Sequence, residues 1–474
     1  MAPISSIQVT RSDWIKPSRD TPDYKQRVPL SDWDVVMYKS YTPLLFFYDN
    51  IEKRTDFMES AILLHALSTV LNDFYPLAGR LVDIGQGRDD IECNDAGVLY
   101  QEASYEEDLQ TFKEEGYLPH QMDYHHMFPI HFYYSPDDPL LAIQVNRFLD
   151  GGVALAVMIL HKVADTYSAC LFLDAWAKQA RGLPYAKGSF DRSLIAFPNN
   201  TTITDDAIAH YRQEHKLINA SHYDLVMDPE QEQHHQIFSR TSPHGPRPLK
   251  SVVLEFHADG LQRCKADAHT AVMTSSRIFM STKDALFGML LRAVVRSRDI
   301  SKDTDVRMIL GINGRTKMKT SKNIHYYFGN WMITQSISMN RRKVDSTSLV
   351  EAAMSVRRQL GSLNLSLLHS ISKIYTMNED MTVHYLSYQP NSETQVTASD
   401  VSTLPFWRLD FGYGRPDRTR GYITSGGNGC LVLFGRSDGN KGAMYDVQLQ
   451  MDADSIKRLI DDPEVQKYTS RILY

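Results

Sequence analysis

Cysteine is scarce in this chain: Cys93, Cys170, Cys264 and Cys430 are the only four in 474 residues. None lies close to another in sequence, so neither a disulfide framework nor a short-spaced zinc site is indicated. The four are expected to be reduced thiols of a cytoplasmic enzyme. Long apolar runs are missing as well. No window reaches the roughly 18 apolar residues that a membrane helix needs. The first dozen residues lack the apolar core of a signal peptide. Positive charge is not in excess either. Lys and Arg number 51 against 57 Asp and Glu, a net charge of −6, with a pI near 6.3. That balance disfavours a nucleic-acid partner.

What the chain does have is material for a large core: 42% of it is hydrophobic, and its length fits roughly two to three domains. Short β-branched or aromatic runs at Ile7 to Val9, Val35 to Tyr38 and Leu44 to Tyr48 suggest strands. A helical spacing of apolar residues follows over Asp56 to Phe74, with Thr55 or Asp56 as its cap, and Pro76 and Gly79 oppose its continuation. Strands are expected at Leu81 to Ile84, Val98 to Ala103, Leu140 to Phe148 and Val153 to Leu160, then a helix from Thr166 to Ala180. Between Arg181 and Lys250 the pattern dissolves into Pro, Asn, Thr, His and Gln. This reads as a crossover linker with a helical piece near Asp205 to Leu217. A second unit covers residues 251–474. It holds a strand at Ser251 to Phe256, a capped helix from Ser281 to Ser297, a strand at Val306 to Ile312, a helical region from Ser348 to Tyr375, and late strands at Gly421 to Thr424, Cys430 to Phe434 and Ala443 to Leu449. The expected division is therefore 1–180, 181–250 and 251–474, of mixed α/β class.

The chemistry is concentrated in His161-Lys162-Val163-Ala164-Asp165. A histidine just past a buried strand can present a proton acceptor to a substrate, and the aspartate four positions on can hold the turn. Two distant segments add weight: Tyr327-Phe328-Gly329-Asn330 and Asp410-Phe411-Gly412-Tyr413-Gly414. The histidines His120, His125, His126, His131 and His210, His215, His222, His234, His235 fit no metal-ligand spacing, so no metal is expected.

In this order and separation, the segments resemble the BAHD acyltransferases. His161 to Asp165 is similar to that family's HxxxD motif, preceded by Gln144-Val145 and Gly151-Gly152. Tyr75 to Arg80 resembles its YPLAGR segment, Asn313 to Arg315 and Tyr327 to Asn330 its NGR and YFGN segments, and Asp410 to Gly414, with Arg415 and Pro416, its DFGWG motif. Leu30-Ser31 with Asp34 also fits. The resemblance implies two chloramphenicol-acetyltransferase-like domains with a channel between them. It further implies acyl-coenzyme A as co-substrate with no permanently bound cofactor, and a small-molecule alcohol or amine as acceptor. A monomer of secondary metabolism, with neither nucleic acid nor membrane as partner, is the corresponding expectation.

By the same resemblance His161 is the general base. Asp165 is structural and pairs with Arg315, in a bidentate, partly buried bridge. Asp410, Gly412, Tyr413 and Gly414 shape a loop remote from the histidine. Four departures from the family pattern stand out. Tyr413 replaces the usual tryptophan, and Thr166 stands where glycine is common. The family's Thr-Ser-Trp maps onto Ser399, Asp400 and Val401, so the tryptophan that would donate to the oxyanion is missing, leaving Ser399 or Asn330 as candidates. Thr403 stands where shikimate-using members carry arginine, which disfavours that anionic acceptor. For the coenzyme A phosphates the candidates are Ser281, Thr282 and Lys283 at a helix start, Lys317 and Lys319, and Arg415. Two other readings remain open. One is a carrier-protein-dependent condensation-type enzyme, although Leu160 stands where such enzymes have a second histidine. The other is a non-catalytic paralogue that binds small molecules.

Overall fold

The computed structural model describes residues 7–118, 126–197, 216–219, 238–239, 247–269, 279–316, 323–386, 393–421, 428–436 and 444–474. Two large sheets organise it. The first has six strands in the order Ile7–Ile15, Val98–Tyr105, Leu141–Phe148, Val153–Leu160, Tyr41–Tyr48 and Arg418–Gly421. Val98–Tyr105 and Leu141–Phe148 run parallel, and the other neighbours are antiparallel. Val153–Leu160 is an unbroken apolar run, buried at every position, as a central strand covered on both faces must be. Helices Ser60–Val70 and Thr166–Ala180 cover one face, tied together where Trp176 Nε1 donates to the Leu63 carbonyl at 2.9 Å.

The second sheet is built around Arg247–Phe256, Met444–Asp452, Cys430–Arg436, Gln395–Asp400, Asp305–Asn313 and Met332–Asn340, in that order. Gln395–Asp400 is parallel to both of its neighbours. Its main helix, Thr282–Ser297, starts at a capping box. Ser281 Oγ accepts from the Asp284 N–H while the Asp284 carboxylate accepts from the Ser281 N–H. The mixed α/β, two-lobed architecture expected from the sequence is thus the one that forms.

The lobes are not consecutive in the chain. Arg418–Gly421, from the second half, forms the edge of the first sheet against Tyr41–Tyr48. Phe328, Trp331, Phe406 and Phe411 likewise belong to the first apolar core, apart from the core built on Val252, Leu290 and Leu449. The crossing strand is fastened by Arg420, whose Nη1 meets Asp446 Oδ2 at 2.7 Å and whose Nη2 donates to the Gly116 carbonyl at 2.9 Å. Burial would raise the Asp446 carboxyl, but Arg420, Arg436 and Arg418 hold it below the ordinary carboxylate value.

Several expected elements shift. The first long helix begins at Ser60 with Glu59 at its cap, not at Asp56. Val35 to Tyr38 is no strand: Asp32–Val35 is a short helix, because Ser31 and Asp34 close a capping box. The helical region after Ser348 is two helices, Leu349–Gly361 and Leu365–Met377, the second capped by Asn364. In the expected linker, Phe190 and Ile195 pack on the first core. Lys216–Asn219 pairs with Val383–Leu386 as strand where helix was expected to reach Leu217. The remainder of that helical piece lies outside the described residues.

Candidate active site

The site is assembled at the C-terminal end of Val153–Leu160. The strand stops at Leu160, the backbone turns through His161–Ala164, and Asp165 opens the next helix by accepting the Ser168 N–H at 2.9 Å. His161 is therefore held between a strand end and a helix start. Its N–H donates to the Ser40 carbonyl at 2.8 Å. Its own carbonyl accepts from Asn330 Nδ2 at 2.7 Å. The ring is half-buried, and Nδ1 is enclosed without a hydrogen-bond partner.

His161 lines a cavity of about 190 Å³ between the two sheets. One wall comes from the first lobe, with Tyr38, Ser40, Thr42 and Leu44 alongside His161 and Thr166. The opposite wall comes from four strands of the second sheet, through Gly311, Met332, Thr334, Thr397, Ser399 and Cys430. Ser399 and Thr397 are two apart on one strand, so their side chains share a face. Burial pushes the Cys430 thiol up to about 12, which makes it an apolar wall group and not a nucleophile.

Asp165 points away from this cavity. Its Oδ2 meets Arg315 Nη1 at 2.7 Å and accepts the Trp331 N–H at 3.0 Å. Arg315 is 1% exposed. Its remaining donors go to the carbonyls of Tyr327 and Gly329, to Ser168 Oγ and to Asn313 Oδ1, and it lies over the Tyr167 ring at 4.6 Å. The expected bidentate, partly buried bridge is instead a single contact, fully buried, because the second Asp165 oxygen is used as the helix cap. Burial opposes ionisation of Asp165, yet Arg315 and the two backbone N–H groups hold its carboxyl below the ordinary value.

Asn330 is close to His161 but not on the cavity wall. Both acceptors of its Nδ2 are protein atoms, the His161 carbonyl and Asp34 Oδ1 at 3.1 Å. That leaves it no free donor for an oxyanion, a physical objection to the expectation made for it. Ser399 does face the cavity.

The Asp410 loop lies elsewhere. Asp410 Oδ1 accepts the N–H groups of Gly412 and Gly414 at 2.8 and 3.0 Å. Both glycines have φ near +100°, a region other residues avoid. Phe411 packs edge-on against Tyr48 and Trp176, and Tyr413 against Phe57 with Arg54 over its ring. Arg415 lies exposed, beside the Trp407 ring. Ser281 and Asp284 are committed to each other. Thr282 is the first residue of that helix, and Lys283 is paired with Asp400 at 2.6 Å. Lys317 and Lys319 lie outside the described residues, as do His120, His125 and the five histidines from His210 to His235. No group of three metal-ligating side chains occurs among the described residues.

One residue next to His161 escaped the sequence reading. Lys162 is buried, donates to the Val35 carbonyl at 2.9 Å and meets Asp89 at 3.3 Å. Burial lowers its ammonium from the ordinary value, against the pull of Asp89. A lysine inside the apolar sequence around His161 was the available signal.

Residues 5–458 match the model of the Transferase family. The chain belongs to that family, the BAHD acyltransferases. Among relatives, this acyltransferase is 25% identical over 422 residues to a shikimate O-hydroxycinnamoyltransferase of Nicotiana tabacum, covering 86% of this chain and 89% of that one. It is also 25% identical over 432 residues to anthranilate N-benzoyltransferase protein 2 of Dianthus caryophyllus, covering 87% and 89%. Its fold is similar to TRI101 of F. sporotrichioides, solved with coenzyme A and T-2. The TM-score is 0.75 at 17% identity, covering 94% of this chain and 100% of that one. The acyltransferase has no helix, among the described residues, long and apolar enough to cross a membrane.

Proposed function

We propose that this acyltransferase moves an acyl group from coenzyme A to the hydroxyl or amine of a small acceptor, with His161 as general base. The observation that carries the reading is the position of His161 on the wall of the cavity between the lobes, with both its N–H and its carbonyl pinned by other segments. With Nδ1 enclosed, Nε2 is the nitrogen left to meet an acceptor. It takes the proton as the acceptor heteroatom attacks the thioester carbonyl, since a neutral alcohol is a weak nucleophile at neutral pH. The tetrahedral oxyanion collapses by breaking the C–S bond. The leaving thiolate takes the proton back from the imidazolium, so no acyl-enzyme forms. Ser399, on the facing wall, is the candidate donor to the oxyanion. Asp165 and Arg315 are positioning residues that hold the helix following the histidine.

One chain supplies both walls of the cavity, which supports a monomer. The four free cysteines support a reducing, cytoplasmic setting. The test is His161→Ala and His161→Gln, assayed by thiol release from acyl-coenzyme A with an acceptor panel. Turnover is expected to fall by about 10²–10⁴-fold, the range for a general base, with the melting temperature preserved. Unchanged turnover in folded His161→Ala would sink the assignment.

A further inference from the structure

The cavity is not merely apolar; charge has been withdrawn from it. Apart from His161, no described residue lining it is a carboxylic acid, a lysine or an arginine; its polar groups are hydroxyls such as Ser40, Thr42, Thr334, Thr397 and Ser399, with the neutral Cys430 thiol. Five charged residues directly adjoin lining residues in sequence: Lys39, Lys162, Asp165, Asp400 and Arg420. Every one is closed into an ion pair with a partner off the wall. Lys39 and Lys162 share Asp89 at 2.9 and 3.3 Å. Asp165 is paired with Arg315 and Asp400 with Lys283. Arg420 is taken by Asp446 at 2.7 Å.

A charged group on the acceptor would therefore lose its water here and find no counter-charge. That desolvation is uncompensated for either sign. A hydroxyl or neutral amine, in contrast, finds hydroxyl partners on the wall. We infer that the acceptor of this enzyme is an uncharged molecule, an alcohol or a weakly basic amine, and that carboxylate and ammonium acceptors are rejected by the unpaired charge they would bury. This rests on the reading of the cavity as the acceptor site and sharpens it. Shikimate and anthranilate, named for the two relatives above, are both carboxylates, so the specificity inferred here departs from theirs.

The experiment uses matched triplets of acceptors with the full-length enzyme and benzoyl- or acetyl-coenzyme A. Each triplet is a benzylic alcohol, the same alcohol with a ring carboxylate, and the same alcohol with a quaternary ammonium group. The neutral member is expected to exceed both charged members in kcat/KM by roughly 100-fold or more. Equal or better use of either charged member overturns the inference. A second readout is calorimetric binding of the triplets to the coenzyme-A-loaded protein. Preference for the neutral member without any turnover supports the charge rule and removes only the catalytic reading of His161. Binding that is equal across the triplet, better for a charged member, or absent for all three overturns the rule. Thr397→Arg adds an unpaired cation to the wall and should raise the carboxylate-to-neutral kcat/KM ratio by about tenfold or more. If that variant folds and the ratio stays put, the inference fails; if it does not fold, the wild-type triplets decide.

Discussion

Asn330 donates one side-chain N–H to the carbonyl of His161 at 2.7 Å and the other to Asp34 Oδ1 at 3.1 Å. Its backbone N–H reaches the same Asp34 oxygen at 2.6 Å. Three segments far apart in sequence thus converge on the backbone of one histidine: Ser31 to Asp34, the histidine turn, and Tyr327 to Asn330. Arg192 closes the other side of Asp34 at 3.2 Å.

Replacing Asn330 by alanine removes this anchor and leaves the buried Asp34 oxygen short of a donor. Stability should fall by about 1–3 kcal/mol, the range for an unsatisfied buried group. The histidine should also lose its placement, lowering kcat by about 10–100-fold while the KM for the acyl donor changes little. Urea unfolding and steady-state kinetics on Asn330→Ala check both. An unchanged kcat in a destabilised variant would assign Asn330 to folding alone.

Asp165→Asn should cost about 3–5 kcal/mol at pH 7, because it strands the buried Arg315 guanidinium. The pH dependence follows from the lowered carboxyl of Asp165, whose ordinary value is 3.8. Above that value the carboxylate is ionised in both folded and unfolded chains, and the pair contributes fully. As pH drops through the lower, folded value the group is protonated in both states and the contribution disappears. The stability gap between wild type and Asp165→Asn should therefore be constant from pH 7 to about pH 5 and narrow below about pH 4. Urea titrations at pH 7, 5 and 3.5 measure it; a gap that persists unchanged in acid contradicts the ion-pair account.

These two residues mark what could be read from sequence. The turn at Asp165 was legible because its signal is local, an apolar run and a turn before a helical pattern, whereas the use of Asp165 as the helix cap went unread. The cap at the start of Thr282–Ser297 was legible for the same reason, but of its expected phosphate donors the Ser281 N–H is held by Asp284 and the Lys283 ammonium by Asp400. Val35 to Tyr38 looked like strand from β-branching, and the Ser31–Asp34 box overrode that preference, with Trp33 packing edge-on to Tyr375. Met332–Asn340 alternates buried with more exposed positions, a period of two that its residues do carry and that went unread. Arg418–Gly421 could not be found this way. Two arginines in a strand of four become admissible only through Asp446 and Glu255, remote in the chain.

Tyr413 stands at a position where tryptophan is usual, and its ring meets Phe57 at 5.5 Å with the Arg54 guanidinium 4.8 Å above. Tyr413→Trp should preserve both contacts and leave stability within about 1 kcal/mol. Tyr413→Ala should lose about 1–3 kcal/mol from the edge-on pair and the buried area. Neither should change kcat, since the loop contributes nothing to the cavity wall. Thermal melts alongside kinetics check this, and a kcat loss in Tyr413→Trp would show that the loop reaches the chemistry.

Ser399 tests how charge is stabilised after attack. It faces His161 across the cavity from the parallel-paired strand Gln395–Asp400, a rigid element that fixes a hydroxyl better than a loop does. If that hydroxyl meets the oxyanion, its bond strengthens only as charge develops on the former carbonyl oxygen. Its loss must then appear in kcat and not in KM. Ser399→Ala is expected to lower kcat by about 10²–10³-fold, the range for removing one such donor, with both KM values nearly unchanged. Ser399→Thr keeps the hydroxyl and should recover most of the rate. Thr397→Ala, on the same strand face, should act mainly on the acceptor KM. A Ser399→Ala enzyme with intact kcat and a raised acceptor KM would move Ser399 from the oxyanion to the acceptor's own hydroxyl groups.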